Sequence, residues 1–292
     1  MKVLVYGGTG SQAGPVVTHL LAQGHTPHVV TRSQQKAAQL EAAGAVPVLA
    51  DLADFDRLCA ASSETDAVAF LLPVFLDSPD NGVTFGRHAI DAAVQAGSQM
   101  FVWNASGEIP DQGPDTKLAI LEHLQASGLP WLVLEPTTYL ENLLGPWTAP
   151  SVRAHDVLTY PVLDDCRVGW LASDDMGKLV VAALERPQLT GRRYRVSGVE
   201  TPTGPELAAI FSDACGRDIR YRTLSPEEMG AVIDEAFGAG AGDKVAEMYR
   251  HEQQDPDPPP KFHDMKPVLK ALPVTMTSIS DWVKAHQKEF AP

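Results

Sequence analysis

The chain has 292 residues, 44 % of them hydrophobic and 21 % charged, enough for one large core or a major domain with a smaller lobe, and too polar for a membrane class. Its 23 basic and 37 acidic residues leave a net charge of −14, which repels a nucleic-acid backbone and an anionic membrane surface, so neither is an expected partner. The three cysteines, Cys59, Cys166 and Cys215, make neither a metal spacing nor a disulfide framework, and Met1 leads straight into KVLVYGG without a leader pattern; a reducing cytoplasm is the expected home.

Lys2–Tyr6 is a short apolar run suited to a strand covered on both faces, and Gly7–Gly14 follows as its turn. From Pro15 a helix places Val16, Val17, Leu20 and Leu21 on one stripe until Gly24 stops it. HVVTR predicts a second strand, SQQKAAQLEAAG a second helix and AVPVLADL a third strand, before a short helix over Phe55–Ala61. DAVAFLLP is a fourth strand, and GVTFGRHAIDAAVQAG a helix with Val83, Ile90 and Val94 in apolar positions. MFVWNASG and LPWLVLEP are further strands around the helix KLAILEHLQASG. This alternation predicts an α/β fold, with a mostly parallel sheet and helices on both faces.

Beyond Pro146 the pattern is mixed. VLTYPV and RRYRVSG are strands, ASDDMGKLVVAALERP is a helix with Ser173 as its cap, and GPELAAIFSDACG is another helix. RDIRYRTL adds a short strand, followed by helices over Pro226–Phe237 and Asp243–Gln253. DPDPPP, residues 255–260, is a loop or boundary because proline lacks the helical donor. SISDWVKAHQKEF closes the chain as one helix, with Ile279, Trp282 and Val283 facing the core. The expected division is a major domain over residues 1–145, with interleaved segments of 146–292 completing it and forming a smaller α/β lobe.

GGTGSQAG between a strand and a helix suits a dinucleotide pyrophosphate. Gly7 and Gly10 admit conformations and close approaches that a Cβ obstructs, and the amides opening the helix face an anion. Thr9, Ser11 and Gln12 fill the turn, and Ala13 takes the third small position, where packing of helix on strand matters most. A purely structural crossover turn is the competing assignment. The second strand ends in TRSQQK, where an NAD site carries an acid for the ribose hydroxyls. Arg32, with donors from Ser33 and Lys36, suits instead the 2′-phosphate of NADP, or else marks a solvated helix start. Asp51 and Leu52 suit the adenine edge and ring, or a loop leading into an Asp54 cap. Leu72, Pro73 and Val74 suit the flank of the dinucleotide, or a buried strand end.

GGTGSQAG, TRSQQK, WNASG and KLAILEHLQASGLPWLVLEPTTYLENL resemble the NmrA-like group of atypical short-chain dehydrogenase/reductases, which includes NADPH-dependent quinone reductase-like members. DDMGKLVVAAL and RRYRVSGVETPTGPELAAIF extend the resemblance over most of the chain apart from residues 236–270. It implies a Rossmann-like major domain plus a smaller C-terminal lobe closing over a cleft, with NADP as cofactor. Lys117 matches the lysine that holds the nicotinamide ribose and assists proton transfer, whereas the phenolic donor expected four residues earlier is replaced by Gly113. Ser106 resembles a position near the substrate carbonyl or nicotinamide, and Asn104 and Ala105 supply donors beside it. Lys117 equally suits a helix surface, with its stem on apolar groups and its ammonium wet, and Asn104 equally suits a loop cap. Thr137, Thr138 and Tyr139 resemble the loop beside the nicotinamide; Tyr139 either stacks or donates there, or is buried.

Phe75, Trp147 and Tyr160 are either an aromatic wall or core. The nine histidines are dispersed, and Asp174 and Asp175 fit the opening turn of a helix, so no metal site is expected. The expected function is an NADPH-dependent oxidoreductase that passes a hydride to a quinone or small conjugated carbonyl compound. An easily reduced acceptor takes its proton from water or from a ligand-held donor, which compensates for the missing phenol. The alternative is a non-catalytic NADP-binding redox sensor or regulatory protein acting on a protein partner, for which Gly113 is the sequence argument. A homo-oligomer is compatible with both.

Overall fold

Apolar runs ended by glycines give alternating strands and helices. The computed structural model describes residues 1–73 and 79–292. It begins with β1 (Lys2–Val5), α1 (Gly14–Ala22), β2 (Thr26–Thr31), α2 (Gln34–Ala42), β3 (Val46–Leu49) and α3 (Phe55–Ser63). These lead to β4 (Ala67–Leu71), α4 (Pro79–Ala96), β5 (Phe101–Asn104), α5 (Thr116–Ala126) and β6 (Trp131–Pro136). There follow β7 (Thr138–Tyr139), α6 (Ala149–His155), β8 (Val157–Tyr160), β9 (Trp170–Leu171), α7 (Ser173–Leu184) and β10 (Arg192–Val196). The remainder is α8 (Gly204–Cys215), β11 (Arg220–Thr223), α9 (Pro226–Phe237), α10 (Asp243–Gln254), α11 (Lys266–Ala271), α12 (Ile279–Ala285) and α13 (Gln287–Phe290).

Seven strands form a wholly parallel, Rossmann-like sheet flanked by helices, in the order β10-β6-β5-β4-β1-β2-β3. Parallel neighbours need crossover connections, which the intervening helices supply. The central β4 and β5 are buried at every residue, whereas the edge strand β3 exposes Val46 and Leu49. Pro47 is tolerated there because an edge strand can spare a ladder donor.

Two compact units divide the chain. The first comprises Met1–Pro136, Ser173–Val196 and Lys266–Thr275, with a core including Leu4, Phe70, Ile90, Trp103 and Ile120. The second comprises Thr137–Ala172, Ser197–Met265 and Met276–Pro292. Its strands form two short parallel pairs, β8 with β11 and β7 with β9, over a core including Val152, Tyr160, Phe211, Trp282 and Phe290. Capping boxes at Thr203/Glu206 and Ser225/Glu228 start α8 and α9 by satisfying amides that a helix leaves unpaired.

Four local expectations are corrected. Val94 is 42 % exposed and Leu21 only half-buried, because each lies on the margin of its helix's apolar stripe. Ser173 is the first residue of α7 and not the residue before it. The terminal segment is two helices broken at His286, whose ring stacks on Trp282 at 4.2 Å and whose Nδ1 meets the Trp282 carbonyl at 2.8 Å. As expected, Ile279, Trp282 and Val283 are buried and residues 255–260 are neither helix nor strand. Tyr160 is core, edge-on to Trp170 and Tyr249, and Trp147 packs on the same cluster. Among the described residues no helix is long and apolar enough to cross a membrane.

Candidate functional site

From β1 the chain steps outward to β2 and β3, then crosses to β4 on the other side of β1. Such a reversal opens a crevice at the carboxyl ends of the two diverging strands. The glycine turn leaves β1 at that point. Gly7 has φ +74°, a left-handed conformation that a Cβ disfavours. Gly8 is required for a different reason: a Cβ there would lie 2.8 Å from Val29 Cγ1 and 2.9 Å from Val17 Cγ2, so β1, β2 and α1 meet across it.

The turn closes on itself through Gly10 N–H to the Gly7 carbonyl at 2.9 Å and Gly14 N–H to the Gly10 carbonyl at 2.8 Å. The first amides of α1 are not the open donors. Pro15 has none, and Val16 N–H donates to Ala13. Among the described residues, the amides of Ser11 and Gln12 donate to no backbone carbonyl. No side chain caps α1 and no acid lies in its first turn, so this corner favours an anion. Ala13 is 3 % exposed, which makes it a packing residue.

Beside the turn lies a cavity of about 510 Å³, lined by Gly7, Thr9, Arg32, Ser33, Lys36, Asp51, Leu52 and Pro73 among others. Its size lies within the range of about 300–1,000 Å³ usual for small-molecule sites. Ser33 caps α2, its hydroxyl accepting from Lys36 N–H at 3.3 Å. Lys36 Nζ reaches back to Thr9 Oγ1 at 3.4 Å, bridging α2 and the glycine turn. The Arg32 guanidinium is 81 % exposed and 3.4 Å from Asp51 Oδ2, while Asp51 Oδ1 accepts from Ala53 N–H. That ion pair is open to solvent and easily exchanged. Asp54 caps α3 as the alternative assignment of this loop required, yet Asp51 and Leu52 still face the cavity.

At the end of β5, the buried Asn104 accepts from Ser106 N–H at 3.0 Å; the side chain caps its own loop. Ala105 is buried and its amide donates to the Leu134 carbonyl, so it offers no free backbone donor. Ser106 has φ +51°, rare for a residue with a Cβ, and its hydroxyl donates to Gln12 Oε1 at 2.8 Å. This bond ties the glycine turn to the loop after β5.

Lys117 stands against the same loop, its Nζ 3.5 Å from the Glu108 carbonyl and so near Gly107 that a Cβ there would lie 2.9 Å away. Burial pushes its pKa below the usual lysine value, against the opposing charges of Asp115, Glu135 and Glu108. The ammonium is therefore partly desolvated, unlike the wet tip of a surface lysine. Asp115 caps α5 by accepting from Lys117 and Leu118 N–H, so Gly113 lies outside the helix, with φ +99°. A side chain four residues before Lys117 would not share its helical face.

Glu135 on β6, 1 % exposed, and Arg193 on β10 pair at 2.6 Å. Glu135 Oε2 accepts from Ile109 N–H and Arg193 Nη2 donates to the Ile109 carbonyl, both at 2.9 Å. Both polar groups of Ile109 are thus held, fixing the loop that carries Ser106 and Gly107. Glu135→Ala is expected to destabilise the fold by about 3 kcal/mol, the lower end for breaking a buried pair, because Arg193 keeps some solvent contact. Urea unfolding measures this, and a loss below about 1 kcal/mol would show that the pair holds little.

Gly7, Thr9, Arg32, Lys36, Asp51, Leu52 and Pro73 share the cavity; Gln12 reaches Ser106 and Lys117 stands beside Gly107. Leu72 is half-buried next to Pro73, and Tyr139 is buried in the second unit. Val74 and Phe75 lie outside the described residues. Sequence reasoning missed Gly8, although the adjacent glycines signalled it, and Tyr6, Asn81 and Phe85 on the cavity wall, for which no local pattern existed. Asp174 pairs with His19 and Lys178, and the buried Asp175 with Lys178.

Parallel strands reversing at β1 and a glycine turn at the reversal define a Rossmann-like protein. Residues 1–280 match the NmrA-like family, to which the chain belongs. It is 29 % identical over 294 residues to the NAD(P)H azoreductase of Xenophilus azovorans, covering 99 % of both chains. Its fold is that of the triphenylmethane reductase of Citrobacter sp. complexed with NADP(H), with a TM-score of 0.80 and 17 % identity over 98 % of this chain and 99 % of that one. It also matches the Escherichia coli NADPH-dependent quinone oxidoreductase complexed with NADPH, with a TM-score of 0.75 and 21 % identity over 97 % of this chain and 99 % of that one.

Proposed function

We propose that this chain is an NADPH-dependent oxidoreductase that delivers a hydride to a quinone or another small conjugated carbonyl compound. The observation that carries this is one cavity joining the glycine turn to two cations, Arg32 and Lys36, at the start of α2. The residues fit the cofactor. The Ser11 and Gln12 amides, which donate to no backbone carbonyl, suit a pyrophosphate, and the cations suit a 2′-phosphate. NADPH, when bound, supplies the hydride.

The protein's part is to bind, orient and hold protons. With the cofactor bound, Arg32 would exchange Asp51 for the phosphate and Lys36 would exchange Thr9. Lys117, beside the loop that Glu135 and Arg193 fix, would hold the nicotinamide ribose. Ser106, whose hydroxyl donates to Gln12, would lie at the nicotinamide end. No phenol stands at residue 113, so the acceptor must be electrophilic enough to take its proton from water. The azoreductase and quinone oxidoreductase relatives support acceptors of that kind.

The test is single-turnover oxidation of bound NADPH by a panel of quinones and enones. Wild type is expected to oxidise at least one quinone, and Lys117→Met to slow hydride transfer by about 100-fold through lost positioning. Retention of NADPH with no oxidation across the panel would refute the enzymatic assignment. That outcome would favour a redox sensor acting on a protein partner, the second reading that Gly113 supports.

A further inference from the structure

We propose that the second unit carries a separate binding site for an uncharged, one-ring aromatic molecule, in the cavity walled by the proline run of residues 258–260. The cavity holds about 170 Å³, close to the roughly 150 Å³ of an apolar cavity that takes up benzene. Its apolar lining comes from Pro161–Leu163 after β8 and from Pro258–Pro260 and Phe262. Proline rings and a phenyl group offer apolar contact surface of the kind an aromatic ring packs against. Leu163 and Phe262 are each 37 % exposed, which places large apolar groups at the rim.

Most polar groups on the wall are already committed; among the described residues the exception is Glu252 Oε2, which is buried without a hydrogen-bond partner. Arg167 donates to both Glu206 oxygens, at 2.8 and 3.0 Å, and to the Thr201 carbonyl at 2.8 Å. Lys261 pairs with Glu252 at 2.7 Å. The Gln253 amide holds the Pro161 and Leu224 carbonyls, each at 3.0 Å, and so keeps the wall rigid. Burial raises the Cys166 pKa, which keeps that thiol neutral. An anion would meet the Glu252 carboxylate, a cation would have to compete with Lys261 for it, and either would lose its hydration, whereas a neutral ring only removes apolar surface from water.

The site is independent of the cofactor cavity, whose lining belongs wholly to the first unit. The test is a ¹⁹F NMR titration of the full chain with 4-fluorophenol, without and with saturating NADP⁺, with 4-fluorobenzoate and 4-fluorobenzylammonium as charged comparators. Saturable one-site binding is expected, at least about tenfold tighter than either charged ring and about fivefold or more weaker in both Phe262→Ala and Leu163→Asp. Both substitutions fall on exposed side chains. A response that does not saturate, equal affinity for the charged rings, displacement by NADP⁺, or unchanged affinity in both variants would overturn the proposal.

Discussion

Removing both cations, in an Arg32→Ala/Lys36→Ala variant, is expected to weaken NADPH binding by about 30- to 1,000-fold and NADH binding far less. A hydrogen bond to a charged group contributes roughly 1.5–3 kcal/mol. Arg32 gives up its exposed pair with Asp51 at 3.4 Å, worth about 0.2–1 kcal/mol, and Lys36 gives up a 3.4 Å contact with Thr9. The net loss is therefore about 2–4 kcal/mol, and each 1.4 kcal/mol is roughly a decade in affinity. The advantage of NADPH over NADH should also shrink as salt is added, since both cations lie near the surface. Calorimetric titration of both cofactors measures this. Equal losses for NADPH and NADH would show that the cations do not read the extra phosphate.

Gly8→Val is expected to have the second large effect. A Cβ alone at this position would lie 2.8 to 3.1 Å from methyls of Val29, Val17 and Val5, and two more methyls would force β1, β2 and α1 apart. Overpacking of this kind costs about 1–3 kcal/mol, and three β-branched neighbours with stiff side chains place the variant at the upper end. For a chain of this size the melting temperature should fall by roughly 5 °C. Cofactor affinity should fall with it, because the turn that presents Ser11 and Gln12 rests on this contact. Gly14→Ala is the matched control, since a Cβ there would meet nothing nearer than 3.8 Å. If the two variants melted alike, the close approach at Gly8 would not be what shapes the turn.

Much of the sheet was legible in the sequence because its signals are local. Apolar runs, helical stripes and terminating glycines recur from Lys2 to Pro136, and the structure places strands and helices close to where they predict. Boundaries that depend on tertiary contact were not legible. Val94 belongs to an apolar pattern yet faces outward, and the break at His286 (φ −108°, ψ 19°) has no proline or glycine to mark it in the sequence.

The same division holds for the candidate site. GGTGSQAG and Arg32 are visible as motifs, but which glycine is irreplaceable depends on Val17 and Val29 coming together around Gly8. Pro15 cannot donate and Val16 is already bonded, so the open amides moved from the helix into the turn. Glu135 and Arg193 are 58 residues apart and meet only because β10 pairs beside β6. Asn104 and Ala105 sit where expected, but their polar groups serve the loop and the sheet.

The most direct measurement is a crystal structure of the chain grown with NADP⁺. The pyrophosphate should lie on the Gly7–Ala13 turn, the 2′-phosphate within hydrogen-bonding distance of Arg32, and the nicotinamide ribose beside Lys117. A dinucleotide bound elsewhere, or with its 2′-phosphate away from both Arg32 and Lys36, would contradict the assignment of this cavity.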